Sequence, residues 1–261
     1  MKAITFIAIT LLAGAIAGTI LGAINQVAVE PYIERAIELE MLQQQQQNTP
    51  AQSGQVINNN PSEFAAYRLW QRGGEIIAGT ILGLSIGSLY GIVFAYTRGS
   101  ISATNNNKKK ALIIASIMWF VLFLIPALKY PPNPPAVGDP ETIYYRQSLY
   151  VAFLAISGFS ALGLAFLYRK IMVASLNNTK KKAVIIIPSA YAAIMAGAYL
   201  AMPANPDPIN APIDLVIGFR ITSVITISMF WALLGVIFGA LWDKANFISN
   251  KIAARHNSNS S

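Results

Sequence analysis

Apolar residues fall in long unbroken blocks along this chain, separated by short polar stretches. A bilayer core about 30 Å thick is crossed by roughly 20 apolar residues in a helix. Six blocks approach or exceed that length: 4–29, 76–96, 111–128, 149–168, 183–202 and 215–242. None alternates apolar and polar residues as a barrel strand does. The pattern predicts an all-α integral membrane protein with about six transmembrane helices. The first block follows Lys2 and has small residues at Gly22 and Ala23, features shared with signal peptides. Its run of about 26 residues exceeds the roughly 7–15 of a cleaved segment, so it is expected to stay as a span.

Composition agrees with the pattern. The 261 residues are 54% hydrophobic and 11% charged, against about 25% charged in a soluble domain. Mean hydropathy is +0.49. There is no cysteine, and the one histidine, His256, lies near the end of the chain. That inventory excludes thiolate sites and His-based triads built from this chain alone, and no tightly bound metal is expected. No phosphate-binding loop, nucleophile elbow or metalloprotease His pair occurs, so the chain does not read as an enzyme.

Charge orients the spans. One set of loops and ends holds 13 of the Lys and Arg residues and, among carboxylates, only Asp243; the other holds six cations and ten carboxylates. The two faces carry +12 and −4 within an overall +8. Basic loops stay inside, which predicts a cell-membrane protein with both termini cytoplasmic. The triplets 108–110 and 180–182 fit juxtamembrane anchors to lipid headgroups, not a nucleic-acid surface.

The triplets also open an internal repeat. Lys108-Lys109-Lys110-Ala111 recurs as Lys180-Lys181-Lys182-Ala183, and at the same offset of 72 Pro131, Asn133, Pro134, Pro140 and Gly163 recur as Pro203, Asn205, Pro206, Pro212 and Gly235. The chain thus reads as one transmembrane domain of three hairpins, about 1–98, 108–170 and 180–244, the second and third a direct repeat. Residues 43–62 form a low-complexity outer loop and 245–261 a cytoplasmic tail. The stretch 31–47 can be helical, with Pro31 suited to a first turn.

Three groups of residues carry candidate chemistry. Gly14, Gly18 and Gly22, then Gly79, Gly83, Gly87 and Gly91, are spaced by four, with Gly235 and Gly239 a shorter version. Such rows let backbones approach closely, as a seam within the chain, a seam between subunits of a homo-oligomer, or the wall of a narrow pathway. Glu30, Glu34 and Glu38 share a helix face, and with Glu40 and Glu75 they can concentrate cations at the outer face; a solvated helix with Arg35 as partial neutraliser is the plainer alternative. Pro126, Pro131 and Pro132 remove amide donors and leave carbonyls without regular helical partners, either as part of a cation path or in a rigid surface turn. Arg146 and Arg220, each opening a span, are placed to pair with Glu141 and Asp214 as orienting partners.

Taken in order, these residues resemble the CbtA family of cobalt-transporter subunits. The resemblance rests on the first span ending in Glu30-Pro31-Tyr32-Ile33-Glu34-Arg35-Ala36…Glu40, on Pro126-Ala127…Pro131-Pro132…Gly138 followed by Arg146-Gln147, and on Phe230-Trp231…Gly235 in the last span. Ile37 and Asn133 depart from the family, which often has acidic residues at both places. The resemblance implies uptake of a divalent cation, Co²⁺, linked to cobalamin synthesis, with a small His-bearing CbtB-type membrane partner. As a hypothesis from the residues, Glu30, Glu34, Glu38, Glu40, Glu75, Asn133, Glu141 and Asp214 line a cation path, and Pro31, Pro126, Pro131, Pro132, Arg146, Gln147, Arg220 and Trp231 have structural or orienting roles. A non-transporting membrane scaffold and a small-solute carrier are the alternatives.

Overall fold

The computed structural model describes residues 3–47, 61–99, 106–135, 137–174, 177–209 and 211–258. Its helices are α1 (Ala3–Ala28), α2 (Glu30–Gln47), α3 (Pro61–Thr97), α4 (Asn107–Trp119), α5 (Ile125–Lys129), α6 (Ile143–Ala174), α7 (Asn177–Ala201) and α8 (Ile213–Ser258). A π-helical turn, Phe120–Leu124, joins α4 to α5, so these form one span. Among the described residues, six helical segments are long and apolar enough to cross a membrane, as the hydrophobic blocks predict. Residues 48–60 of the expected outer loop lie outside the described residues, while 43–47 belong to α2. The expected tail from 245 continues α8 as helix to Ser258.

The glycine rows form a seam between α1 and α3, inside one chain. A Cβ built on Gly83 collides with the Gly14 carbonyl oxygen and comes within 2.7 Å of the Gly18 Cα; one on Gly79 comes within 3.1 Å of the Gly22 Cα. Gly87 faces the Gly14 backbone and Gly91 faces the Thr10 side chain. Only hydrogen fits at these positions. Thr19 and Thr80 add a hydrogen bond across the seam, 2.8 Å between hydroxyls. Gly235 and Gly239 on α8 make the same kind of room for α4, against Ala115 and Lys108.

Toward the Lys-triplet end the core is aromatic. Phe6 from α1, Tyr90 and Phe94 from α3, and Phe238 and Trp242 from α8 meet with ring centroids 4.7–6.2 Å apart. The Tyr90 hydroxyl is satisfied by the Ala111 carbonyl at 2.7 Å, as a buried phenol requires. Trp231 is 4% exposed in the same core.

Helix pairing departs from three successive hairpins. α1 packs on α3 and α8, α4 packs on α8, and α6 packs on α7 and on the π turn. The two helices of the expected third hairpin, α7 and α8, are not a principal packing pair. The reason lies in the small residues. Gly235 and Gly239 face α4, so α8 approaches α4 and leaves α7 to α6.

Pro126 explains the π turn. Its ring cannot donate an amide hydrogen and crowds the preceding turn. Widening to the π register, seen in the Ile125 amide bonding back to Phe120, leaves the Val121 carbonyl facing Pro126 with no donor. Ser157 on α6 supplies one, its hydroxyl lying 2.5 Å from that oxygen. Serine has a single hydroxyl hydrogen, so Tyr191 on α7 donates to Ser157 across their 2.7 Å contact. One proline thereby ties three helices through a buried polar chain.

Candidate functional site

The end of the bundle bearing α2 and the proline-rich loops holds two polar constellations. The first joins α2 to α3. Glu30 opens α2 at its N-terminus and is 7% exposed. Arg68, Arg72 and Glu75 share a face of α3 by their spacing of four and three. Arg68 donates to Glu30 at 2.5 Å, and Arg72 reaches the same oxygen at 3.4 Å. Arg72 also pairs closely with Glu34. Arg35 does not neutralise this group; it pairs with Asp214 on α8 at 3.1 Å. Glu30, Glu34 and Asp214 are therefore held by guanidinium groups. Glu38, Glu40, Glu75 and Glu141 have no ion-pair partner among the described residues. Glu75 is the half-buried one inside a span, and Glu38 and Glu141 are exposed. Pro31 is exposed in the first turn of α2. Among the described residues no three His, Cys, Asp or Glu side chains converge as a metal site.

The second constellation is built by the two proline loops clasping each other. Tyr130 donates to the Pro203 carbonyl at 2.6 Å, and Lys129 to the Tyr199 carbonyl at 2.8 Å. Burial, with Tyr145 nearby, pushes the Tyr130 phenol above its ordinary value, so it remains a neutral donor. Asp207 is the hub. Its Oδ2 accepts from Thr142 at 2.5 Å and the Asp139 amide at 2.9 Å, and meets Arg146 at 3.0 Å. The Thr142 hydroxyl, then the Asp139 amide and Arg146, hold its carboxyl below the usual range against the opposing effect of burial. Arg146 also donates to the carbonyls of Val137 at 2.9 Å and Asp139 at 3.1 Å. Gly138 has φ +91°, and a Cβ there would lie 2.6 Å from Asp207 Oδ2. Glycine is thus required for its conformation and for the passage of the Arg146–Asp207 pair.

Both arginine pairings differ from the expected ones. Arg146 meets Asp207 instead of Glu141, and Arg220 bonds Asn133 Oδ1, at 2.7 Å from Nη2 and 3.2 Å from Nε, instead of Asp214. Glu141 and Asp214 precede their expected partners by five and six residues, spacings that a 3.6-residue turn places on different faces. The pairings cross reciprocally: each arginine opens the second span of one repeat unit and binds the proline loop of the other.

Between the loops lies a cavity of about 540 Å³, walled by Pro131, Pro132, Asn133, Asn205, Arg146 and Arg220 and floored by Phe123, Ala127 and Leu149. Pro126 is buried beside the π turn below it, and Gln147 is exposed and outside the lining. Sequence reasoning missed Asp207 as the hub. Asn205, two residues earlier, belongs to the repeat and marked that loop.

Searches of curated proteins and of solved structures return no match. The family model of CbtA, described as a probable cobalt transporter subunit, matches residues 3–243. With that match covering nearly the whole chain and its six apolar spans, the chain belongs to the CbtA family.

Proposed function

We propose that this chain is the membrane-embedded subunit of an uptake system for a divalent transition-metal cation, cobalt, serving cobalamin synthesis, with its Lys-rich end and both termini in the cytoplasm. The observation that carries the reading is the family match over residues 3–243. The carboxylates support it in a restricted form. Glu30, Glu34 and Asp214 hold helices together through arginines, which leaves Glu38, Glu40, Glu75 and Glu141 to gather cations at the acidic end. Asn133, bonded to Arg220, is not a free ligand. With no cysteine and one histidine in the chain, thiolate or clustered imidazole ligands for cobalt come from a partner, in keeping with a small His-bearing CbtB-type subunit.

The test is Co²⁺ accumulation, compared with Ni²⁺ and Mg²⁺, in cells expressing the full chain with its partner. Removing the chain is expected to abolish cobalt accumulation, and Glu75→Gln to reduce it without loss of the membrane-inserted protein. Cobalt accumulation unchanged by removing the chain overturns the proposal.

A further inference from the structure

The cavity between the proline loops has the wrong charge for a bare cation. Its charged lining residues are Arg146, Asp207 and Arg220. Arg146 is neutralised by Asp207 at 3.0 Å, and its other donors reach Thr142 and two carbonyls. Arg220 is half-buried and, among the described residues, bonds only the neutral amide oxygen of Asn133. No carboxylate lies within 4.0 Å of it among the described residues. The cavity therefore carries one uncompensated positive charge, fixed on Arg220. A partly desolvated guanidinium without a counter-charge is costly, and an anion that completes it binds with that cost relieved.

The shape of that charge narrows the class of ligand. A guanidinium presents parallel donors that match the two oxygens of a carboxylate. One leftover charge balances one carboxylate. Around it, Asn205 and Tyr150 offer neutral polar groups, while Phe123, Ala127 and Leu149 give an apolar floor for a carbon skeleton. The volume of about 540 Å³ falls in the range of small-molecule sites. We propose that this cavity binds a small organic acid, seating its carboxylate on Arg220. The inference does not depend on cobalt, since it follows from the charge and shape of the cavity alone.

The experiment uses the full chain in nanodiscs of zwitterionic lipid, read by calorimetry and by the melting temperature. Butyrate and benzoate, each with one carboxylate on an apolar skeleton, are titrated beside inorganic phosphate and Co²⁺ alone, and the titrations are repeated with anionic lipid. At least one of the two acids is expected to bind and raise the melting temperature, while phosphate and Co²⁺ leave the cavity unfilled. Arg220→Gln is expected to weaken that binding about tenfold or more. Asn133→Glu supplies the missing carboxylate from within. It should abolish acid binding while leaving the ligand-free melting temperature at or above that of the parent chain. Acid binding unchanged in both variants overturns the proposal. So does Arg220-dependent binding of phosphate, anionic lipid or Co²⁺ with no response to either acid.

Discussion

Two halves of this bundle hold their helices together by different means. In the half made by α1, α3, α4 and α8, small residues let backbones touch and an aromatic cluster fills one end. The most apolar windows of α1 and α8 are each 39% buried, whereas those of α6 and α7 are 17% and 11% buried. The α6–α7 half is tied at two polar places, the Val121–Ser157–Tyr191 chain and the clasped proline loops. The repeat makes the contrast sharp. Gly235 packs with Ala115 Cβ only 2.9 Å from where its own Cβ would be, while its repeat counterpart Gly163 has nothing within 4 Å. Similar units thus serve different ends, one dense seam and one open face, and the cavity forms where their loops meet.

The largest test sets these glycines against each other. Gly83→Leu drives a side chain into the Gly14 carbonyl and the Gly18 backbone, neither of which can yield without parting α1 from α3. A loss of about 3 kcal/mol or more is expected, in line with severe overpacking. Gly163→Leu projects into open space and is expected to change stability by less than about 0.5 kcal/mol. Unfolding in mixed micelles, followed by helical circular dichroism, compares the two. Equal sensitivity would erase the distinction between the halves.

A comparable loss is expected where α2 is bolted to the dense half. Glu30→Ala takes its 2.5 Å partner from the Arg68 guanidinium, 14% exposed, and leaves it Glu34 at 3.9 Å and the neutral Gln71; breaking a buried pair from one side costs up to about 3 kcal/mol. Glu38→Ala, exposed and without an ion pair among the described residues, should move the unfolding midpoint little. The same micelle unfolding assay decides whether the acidic face is structural at Glu30 and free at Glu38.

The legibility of these features follows their range along the chain. Spans and glycine rows are local patterns, with one apolar block per helix and one small residue per turn, and both appear where periodicity places them. Pro126 announces a carbonyl without a helical donor, yet the group that satisfies it, Ser157, lies 36 residues away. The same limit governs the arginines. Arg146 and Asp207 meet across a whole hairpin, and nearby carboxylates are poor guides because intervals of five and six point around the helix. Asn133 reads in sequence as a cation-path residue, and its oxygen accepts from Arg220, 87 residues away.

The polar chain offers a smaller test on the open half. Ser157→Ala strands the Val121 carbonyl in an apolar setting and is expected to cost about 1–3 kcal/mol. Tyr191→Phe keeps the Ser157–Val121 bond and removes only the second link, for about 1 kcal/mol. If the two substitutions cost the same, the tie between α6 and α7 matters more than the defect at Pro126. The unequal result would show that α6 is held first by the need to satisfy the π turn.

The smallest effect concerns acid and the proline clasp. The Asp207 carboxyl is held below its ordinary value, mainly by the Thr142 hydroxyl. A carboxylate with a lowered folded-state value stabilises the fold fully above the unfolded value of about 3.9, and loses that contribution as pH falls through the folded value. The clasp is therefore expected to stay shut from neutral to mildly acid pH and to loosen only below about 3.9. The reporter is the Asp139 amide, which donates to Asp207 Oδ2 at 2.9 Å; its protection from hydrogen exchange should fall in that acid window. Asp207→Asn removes the titrating group, so protection should be weaker at neutral pH and nearly flat with acid. A parent-chain loss already complete at pH 6 would assign the clasp to another group, because Asp207 remains ionised there.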